Sequence, residues 1–216
     1  MAEPRALIVD WGGVLTTPLR DTMIEWCEAD GLDYRAFRGS LKDWLVDTSG
    51  AVVADNPVHA LERGEVATTD FERDLAARLR RTDGGPVEAA GLLTRMFSGF
   101  VAVPQVADAV RRVKAAGFAT ALLSNSWGNE YPREGWPQMF DVVVISGEVS
   151  MRKPEPRIYQ HTVELLGVEP EQCVFVDDLR PNVEAAEALG MTGILHEAPQ
   201  RTLAELERRF GVSLLV

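Results

Sequence analysis

The chain has 216 residues, 46% of them hydrophobic and 25% charged, a composition typical of a globular protein with a substantial buried core. A formal net charge of -11 argues against nucleic acid or an anionic membrane as the main partner, because the long-range field repels both. No apolar run approaches the ~20 residues needed to span a bilayer. The first six residues are too short and too polar for a secretory leader, so we expect a cytoplasmic protein.

Five short runs rich in apolar and β-branched residues are predicted strands, namely residues 6–9, 119–123, 142–145, 173–176 and 192–195. From residue 103 onward, predicted helices cover residues 103–116, 156–166, 182–189 and 203–210, each followed by a glycine that is typical of a helix C-terminus. Strands that are apolar throughout and alternate with helices indicate a parallel sheet covered on both faces. The predicted fold class is a doubly wound, Rossmann-like α/β core.

More than a hundred residues separate the first strand from the second, far more than one crossover helix needs. Helical patterns are predicted within this stretch over residues 21–29, 34–45, 57–63, 70–80 and 87–100, with Thr69 and Glu72 placed as a capping box. We therefore expect residues 1–16 and 101–216 to form the α/β core and residues 17–100 to form an inserted α-helical cap. Nothing in the chain indicates an oligomeric state.

Polar side chains follow four of the predicted strands. Asp10 ends the first strand, Ser124-Asn125 the second and Asp177-Asp178 the fourth, while Lys153 lies between the third strand and a helix. The carboxyl ends of parallel strands meet at one edge of a sheet, which is where such sheets bind ligands. We expect Ser124 and the Asn125 backbone N–H to bind phosphoryl oxygens, with a simple turn after the strand as the alternative.

The adjacent carboxylates of Asp177 and Asp178 repel each other and Asp10 unless a cation lies between them. Mg²⁺ favours such a set of carboxylate oxygens. The competing interpretation is that one aspartate caps the following helix and the other is solvated. Lys153 is expected to balance the charge of Asp10 and of a bound phosphate, with a solvated surface lysine as the alternative.

Four short motifs hold these residues: Asp10, Ser124, Lys153 and the pair Asp177-Asp178. In order and spacing, they resemble the four motifs of the haloacid dehalogenase-like hydrolase superfamily. The resemblance covers nearly the whole chain, and the helical insertion is similar to the cap of that family. It implies that Asp10 in VDWGG is a nucleophile that forms an aspartyl phosphate from a small phosphorylated metabolite. It also implies that Ser124, Asn125, Lys153 and the backbone N–H groups of Trp11 and Gly12 bind the phosphoryl group. Mg²⁺ is implied to be held by Asp10, the Gly12 carbonyl and Asp178, with Asp177 farther out or acting through water.

Gly12 departs from the family pattern, which usually has an aspartate there for proton transfer. The role then falls to a cap side chain or to the substrate itself, or the leaving group needs little help, or the chain is a poor enzyme. His59, His161, Asp21 and Glu25 are the potential substitutes. Two alternative functions stay open: a catalytically weak phosphate- and metal-binding regulatory protein, and a haloacid dehalogenase. The second is less favoured, because dehalogenases do not need an acidic metal pair.

Overall fold

The computed structural model describes residues 3–45 and 56–214. Within them lies a five-stranded sheet in the order β3-β2-β1-β4-β5, with every neighbouring pair parallel. The strands are β1 (Ala6–Val9), β2 (Ala119–Ser124), β3 (Val142–Ile145), β4 (Cys173–Asp177) and β5 (Thr192–Leu195). The strand order reverses direction on either side of the central β1, and such a switch point is where open α/β sheets bind ligands.

Helices cover both faces of the sheet. The helices of this core are α6 (Pro104–Ala115), α7 (Ser146–Val149), α8 (Pro156–Leu166), α9 (Arg180–Ala188) and α10 (Pro199–Phe210). Leu7 and Val9 pack in the cluster that contains residues of α6 and α10, whereas Ala6 and Ile8 pack in the cluster that contains residues of α8 and α9. Both faces of β1 are therefore buried, which explains why its sequence is apolar without alternation and confirms the predicted doubly wound α/β fold.

A second group of helices lies between β1 and α6 in the sequence. It comprises α1 (Leu19–Ala29), α2 (Tyr34–Leu45), α3 (Pro57–Glu62), α4 (Thr68–Arg78) and α5 (Leu92–Phe97). Their apolar faces share a hydrophobic core that includes Trp26, Phe37, Phe71 and Leu92 and is separate from the two clusters at the sheet. The division into a cap of residues 17–100 and a core stays a prediction. None of the described helices is long and apolar enough to cross a membrane.

Two details of the predicted cap are wrong. The predicted capping box does not form: α4 begins at Thr68, two residues before the predicted start at residue 70, and the Glu72 carboxylate accepts a hydrogen bond from the Leu93 N–H at 2.9 Å. The predicted helix over residues 87–100 is shorter, because Gly91 adopts a left-handed conformation with φ of 68° and α5 begins only after it. The Glu72 carboxylate thus accepts a hydrogen bond from the first turn of α5 and does not cap its own helix, α4.

Candidate active site

The carboxyl ends of β1 and β4 bring three carboxylates together. Val9 pairs with Val176, and the Asp10 N–H continues this pairing by donating to the Val176 carbonyl at 2.9 Å. Asp10 therefore lies beside the end of β4, from which Asp177 and Asp178 follow. One carboxylate oxygen of each of the three residues lies within 4.8 Å of the others. The predicted convergence of the strand ends is thus observed for the acidic residues.

Lys153 places a single ammonium group between two of these carboxylates. Its Nζ forms ion pairs with Asp10 Oδ1 at 2.8 Å and Asp177 Oδ2 at 2.6 Å, and its side chain is only 1% exposed. Burial by itself lowers the pKa of Lys153, but the two carboxylates outweigh burial and raise that pKa above its ordinary value. Lys153 is therefore a fixed buried cation, and the alternative of a solvated surface lysine is wrong.

The carboxyl groups of Asp10 and Asp178 are destabilised as anions. Burial, followed by repulsion from Asp177 and Asp178 and opposed by Lys153, raises the pKa of Asp10 to about 7. Burial and the charge of Asp177 raise the pKa of Asp178 to about 6. One lysine thus does not compensate three neighbouring acids, and a further positive charge would stabilise the ionised form of both groups.

Asp177 differs from the other two acids because its oxygens are already engaged. Oδ1 accepts hydrogen bonds from the Leu179 N–H at 2.9 Å and from Asn182 Nδ2 at 3.0 Å, and Oδ2 binds Lys153. The residue is 0% exposed. Asp177 therefore holds Lys153 and the start of α9 in place. The sequence analysis did not predict the contact between Asn182 and Asp177. The one signal in the sequence is that Asn182 lies in the first helical turn after the acidic pair.

The loop after β2 contributes two further residues that were expected at the site. Ser124 Oγ lies 3.0 Å from the Tyr131 hydroxyl, and burial raises the pKa of Tyr131, which keeps that hydroxyl protonated. The Asn125 side chain forms a reciprocal pair with the backbone of Lys153: its Oδ1 accepts from the Lys153 N–H at 2.8 Å, and its Nδ2 donates to the Lys153 carbonyl at 3.0 Å. Asn125 thus positions the buried lysine, a role that the sequence did not suggest.

The two glycines after Asp10 have different structural roles. Gly13 has φ of +74°, and a Cβ there would lie 2.2 Å from Asp178 Oδ2. A side chain at Gly13 would therefore displace the carboxylate of Asp178. At Gly12 a Cβ would approach only Phe100, at 3.9 Å, which is an ordinary van der Waals contact. The absence of an acid at Gly12 is thus not imposed by the space around its Cβ.

The donor set fits a hard divalent cation such as Mg²⁺. Asp10 and Asp178 both line the cavity described below and both have raised pKa values, so each has a carboxylate that a cation would stabilise. Gly13 leaves room for the Asp178 oxygens. Carboxylate oxygens with space for water and substrate phosphate are the surroundings that Mg²⁺ prefers.

A cavity of about 250 Å³ opens over these groups and reaches the helices of residues 19–97. Every residue predicted for the site except Asp177 lines it: Asp10, Trp11, Gly12, Ser124, Asn125, Lys153 and Asp178. Glu62 of α3 also lines the cavity, where it binds Arg152 through an ion pair and accepts a hydrogen bond from Trp127 Nε1 at 3.1 Å. These contacts fasten α3 to the residue directly before Lys153.

Of the potential proton donors proposed for the role missing at Gly12, His59 lines the cavity. Asp21 and Glu25 are exposed on α1, and His161 lies on α8, and none of these three belongs to the lining. His59 is 8% exposed, and its backbone N–H is held by Asn56 Oδ1 at 2.8 Å. Of these four potential proton donors, His59 is the one that lies at the cavity.

A family model described as haloacid dehalogenase-like hydrolase matches residues 4–190. Acyl-CoA dehydrogenase family member 10 of Mus musculus is 29% identical over 97% of this chain, which covers 19% of that protein. The chain spans between 19% and 33% of the first four curated relatives that it matches. By contrast, sesquiterpene phosphatase astK of Aspergillus oryzae is 27% identical over 96% of this chain and 97% of its own length.

Solved structures share the fold. A crystal structure of the HAD family enzyme bt-2542 from Bacteroides thetaiotaomicron, a magnesium complex, superposes with a TM-score of 0.68 and 21% sequence identity. The match covers 91% of this chain and 95% of that one. At this level of identity the likeness concerns the arrangement of helices and strands.

Proposed function

The chain belongs to the haloacid dehalogenase-like hydrolases, and we propose that it hydrolyses a small phosphate monoester with Mg²⁺ through an aspartyl phosphate on Asp10. The observation that carries this proposal is the buried Asp10 carboxylate, which lines the cavity while the Trp11 N–H and Lys153 Nζ hold its Oδ1 at 2.7 and 2.8 Å. Relatives named as phosphatases support the same class of reaction.

Asp10 acts in two steps. A carboxylate oxygen of Asp10 first attacks the phosphorus in line, the phosphorus–oxygen ester bond breaks, and its electron pair leaves with the alcohol oxygen. Water then attacks the phosphorus of the aspartyl phosphate and gives up one proton, which balances the proton that the leaving alcohol oxygen takes up; inorganic phosphate is released and the carboxylate is restored. Preorganised donors stabilise the charge on the phosphoryl oxygens in both steps. We assign this role to Lys153, Ser124 and the backbone N–H groups of Trp11, Gly12 and Asn125.

Mg²⁺ would be held by Asp10, Asp178 and the Gly12 carbonyl, with Asp177 farther out. When bound, the cation supplies charge neutralisation for the nucleophile and the phosphoryl oxygens. Asp177 contributes by fixing Lys153, since both of its oxygens are already engaged. The position of Asp178 depends on the space at Gly13, where a Cβ would lie 2.2 Å from the carboxylate.

The test is steady-state hydrolysis of p-nitrophenyl phosphate and of a panel of phosphate esters, with Mg²⁺ or with EDTA. Asp10→Asn should lower turnover by at least about 1,000-fold, as for other deleted nucleophiles. Asp108→Asn is the matched control, because Asp108 is an exposed aspartate on α6 that pairs only with Arg111 in the described structure. Full turnover in EDTA or in Asp10→Asn would refute the mechanism.

Gly12 supports a second candidate function, a phosphate- and metal-binding regulatory protein with weak turnover. General acid and base catalysis contributes ~100- to 10,000-fold, and Gly12 has no side chain to supply it. Binding of a phosphate analogue without turnover of any ester on the panel would favour this function. Gly12→Asp separates the two further: a gain in turnover shows that the proton-transfer group is missing, whereas a loss shows that another group such as His59 has taken the role.

A further inference from the structure

We propose that the organic part of the substrate is apolar, an alkyl, prenyl or aryl group without hydroxyls or charges, and that it binds among the helices that lie over Asp10. This inference rests on the proposed phosphatase function and adds the chemical class of the leaving group. It is carried by the lining of the cavity, by the partners of its polar groups and by the character of its rim.

Most of the residues that line the cavity fall into two chemical groups, and the polar His59 and Glu62 of α3 belong to neither. The first consists of the polar groups at the strand ends, which suit a phosphoryl group and a cation. The second is apolar and comes mainly from α1, α2, α3 and the segment around α5, with Trp127 from the loop after β2. Phe97 and Phe100 in this group are stacked, with ring centroids 5.4 Å apart. The apolar group consists of Leu19, Met23, Phe37, Leu41, Val58, Phe97, Phe100, Trp127 and Leu179.

Most of the polar side chains around the apolar group already have protein partners. Glu62 is held by Arg152 and by Trp127 Nε1, so each of its oxygens already has one protein partner. The Tyr131 hydroxyl lies 3.0 Å from Ser124 Oγ, and Asn182 Nδ2 donates to Asp177. A sugar or nucleoside would bring several hydroxyls into this space. Each hydroxyl left without a partner would weaken binding, because it loses its hydrogen bonds to water.

The rim of the cavity, taken as the exposed residues of its lining, consists of two leucines. Large hydrophobic side chains that are exposed in the described structure are Leu19, Val101, Leu165 and Leu179, and two of them, Leu19 and Leu179, line this cavity. Leu19 is 38% exposed and Leu179 is 50% exposed. Leu179 directly follows Asp178, so the apolar rim lies next to the proposed cation site. Exposed apolar groups gathered at a cavity are typical of a ligand-binding surface.

The size of the cavity agrees with such a ligand. An engineered apolar cavity of ~150 Å³ in another protein binds benzene. The cavity of about 250 Å³ found here has room for a group of that size together with a phosphoryl group. The open rim at Leu19 and Leu179 allows a longer chain to extend outward.

The experiment separates binding of the organic group from the chemistry. Calorimetry in Mg²⁺ measures Kd for ethyl-, butyl-, hexyl- and octylphosphonate, which cannot be hydrolysed at phosphorus. We expect Kd to tighten by about fourfold for each added methylene until the cavity is full, the gain that burial of one CH₂ gives. Parallel assays compare hydrolysis of octyl phosphate with that of glucose 6-phosphate, for which we expect kcat/KM to be at least about 100-fold lower.

Two exposed leucines give a matched pair of variants that are expected to fold. Leu179→Asn should reduce the ratio of octylphosphonate to ethylphosphonate affinity by about tenfold. Leu165→Asn should leave that ratio unchanged, because Leu165 is 53% exposed on α8 and is not part of the cavity. Affinity that does not depend on chain length, in a protein that turns over phosphate esters, overturns this inference and leaves the proposed function standing. Graded affinity without turnover of any ester supports the apolar site and overturns the proposed function.

Discussion

Lys153→Met should destabilise the protein far more than loss of an ordinary lysine. The Lys153 side chain is 1% exposed and binds Asp10 at 2.8 Å and Asp177 at 2.6 Å. Its removal leaves two buried carboxylates without their shared cation. Deleting one partner of a buried ion pair costs about 3–5 kcal/mol. At 2–4 °C per kcal/mol for a chain of this size, Tm should fall by roughly 6–20 °C.

The matched control is Lys114→Met. Lys114 Nζ binds Asp141 Oδ1 at 2.7 Å, but the two side chains are 24% and 44% exposed, so this pair contributes only about 0–1 kcal/mol. Thermal unfolding followed by circular dichroism in EDTA measures both variants. The fall in Tm of the double variant Lys153→Met/Asp177→Asn should be smaller than the sum of the falls in Tm of the two single variants, because both changes act on one interaction. If Lys153→Met and Lys114→Met lower Tm equally, or if the fall in Tm of the double variant equals the sum of the two single falls, Lys153 does not balance the charge of the buried carboxylates.

Three further predictions concern the same region. Gly13→Ala should abolish turnover by displacing Asp178, whereas Gly117→Ala, at φ of +93° in open space, should cost only about 1–2 kcal/mol of backbone strain and keep activity. In EDTA, the Tm of the wild type relative to that of Asp10→Asn/Asp178→Asn should fall as the pH rises from about 4 to 7, because raised pKa values of about 7 for Asp10 and 6 for Asp178 let the folded state keep protons that the unfolded chain releases; the comparison cancels groups that act in the opposite sense, such as His196, whose pKa burial lowers, and a relative Tm that rises over this range contradicts the prediction. Glu62→Gln should accelerate hydrogen exchange in α3 relative to the sheet, since it breaks the buried pair with Arg152; unchanged exchange would show that α3 does not depend on this contact.

The residues at the strand ends could be predicted because their positions follow from sheet geometry. Short apolar runs between helices indicate parallel strands, and parallel strands place their carboxyl ends at one edge. Asp10, Ser124, Lys153 and Asp178 therefore meet at the cavity as expected. Chemistry supported the same grouping, because several acids close together need a compensating cation.

The contacts that position these residues could not be predicted in the same way. Glu62 and Arg152 are 90 residues apart, and Asn125 and Lys153 are 28 apart. No local periodicity specifies which distant side chains will meet. The start of α5 was also misplaced, because Gly91 takes up a left-handed conformation and the Leu93 N–H binds Glu72, 21 residues away. Local patterns thus predicted the elements, while packing between distant segments decided their ends.

The loops that carry Lys153 and Asp178 also form part of the lining of the cavity. Arg152, which binds Glu62 of α3, directly precedes Lys153, and the backbone of Lys153 is held in turn by Asn125. Leu179 contributes its side chain to the apolar rim while its N–H donates to Asp177. A shift of α3 would therefore move the segment that carries Arg152 and the Lys153 ammonium group. For this reason, variants at Arg152 or Leu179 need separate measurements of affinity and turnover, since each residue belongs to both parts of the site.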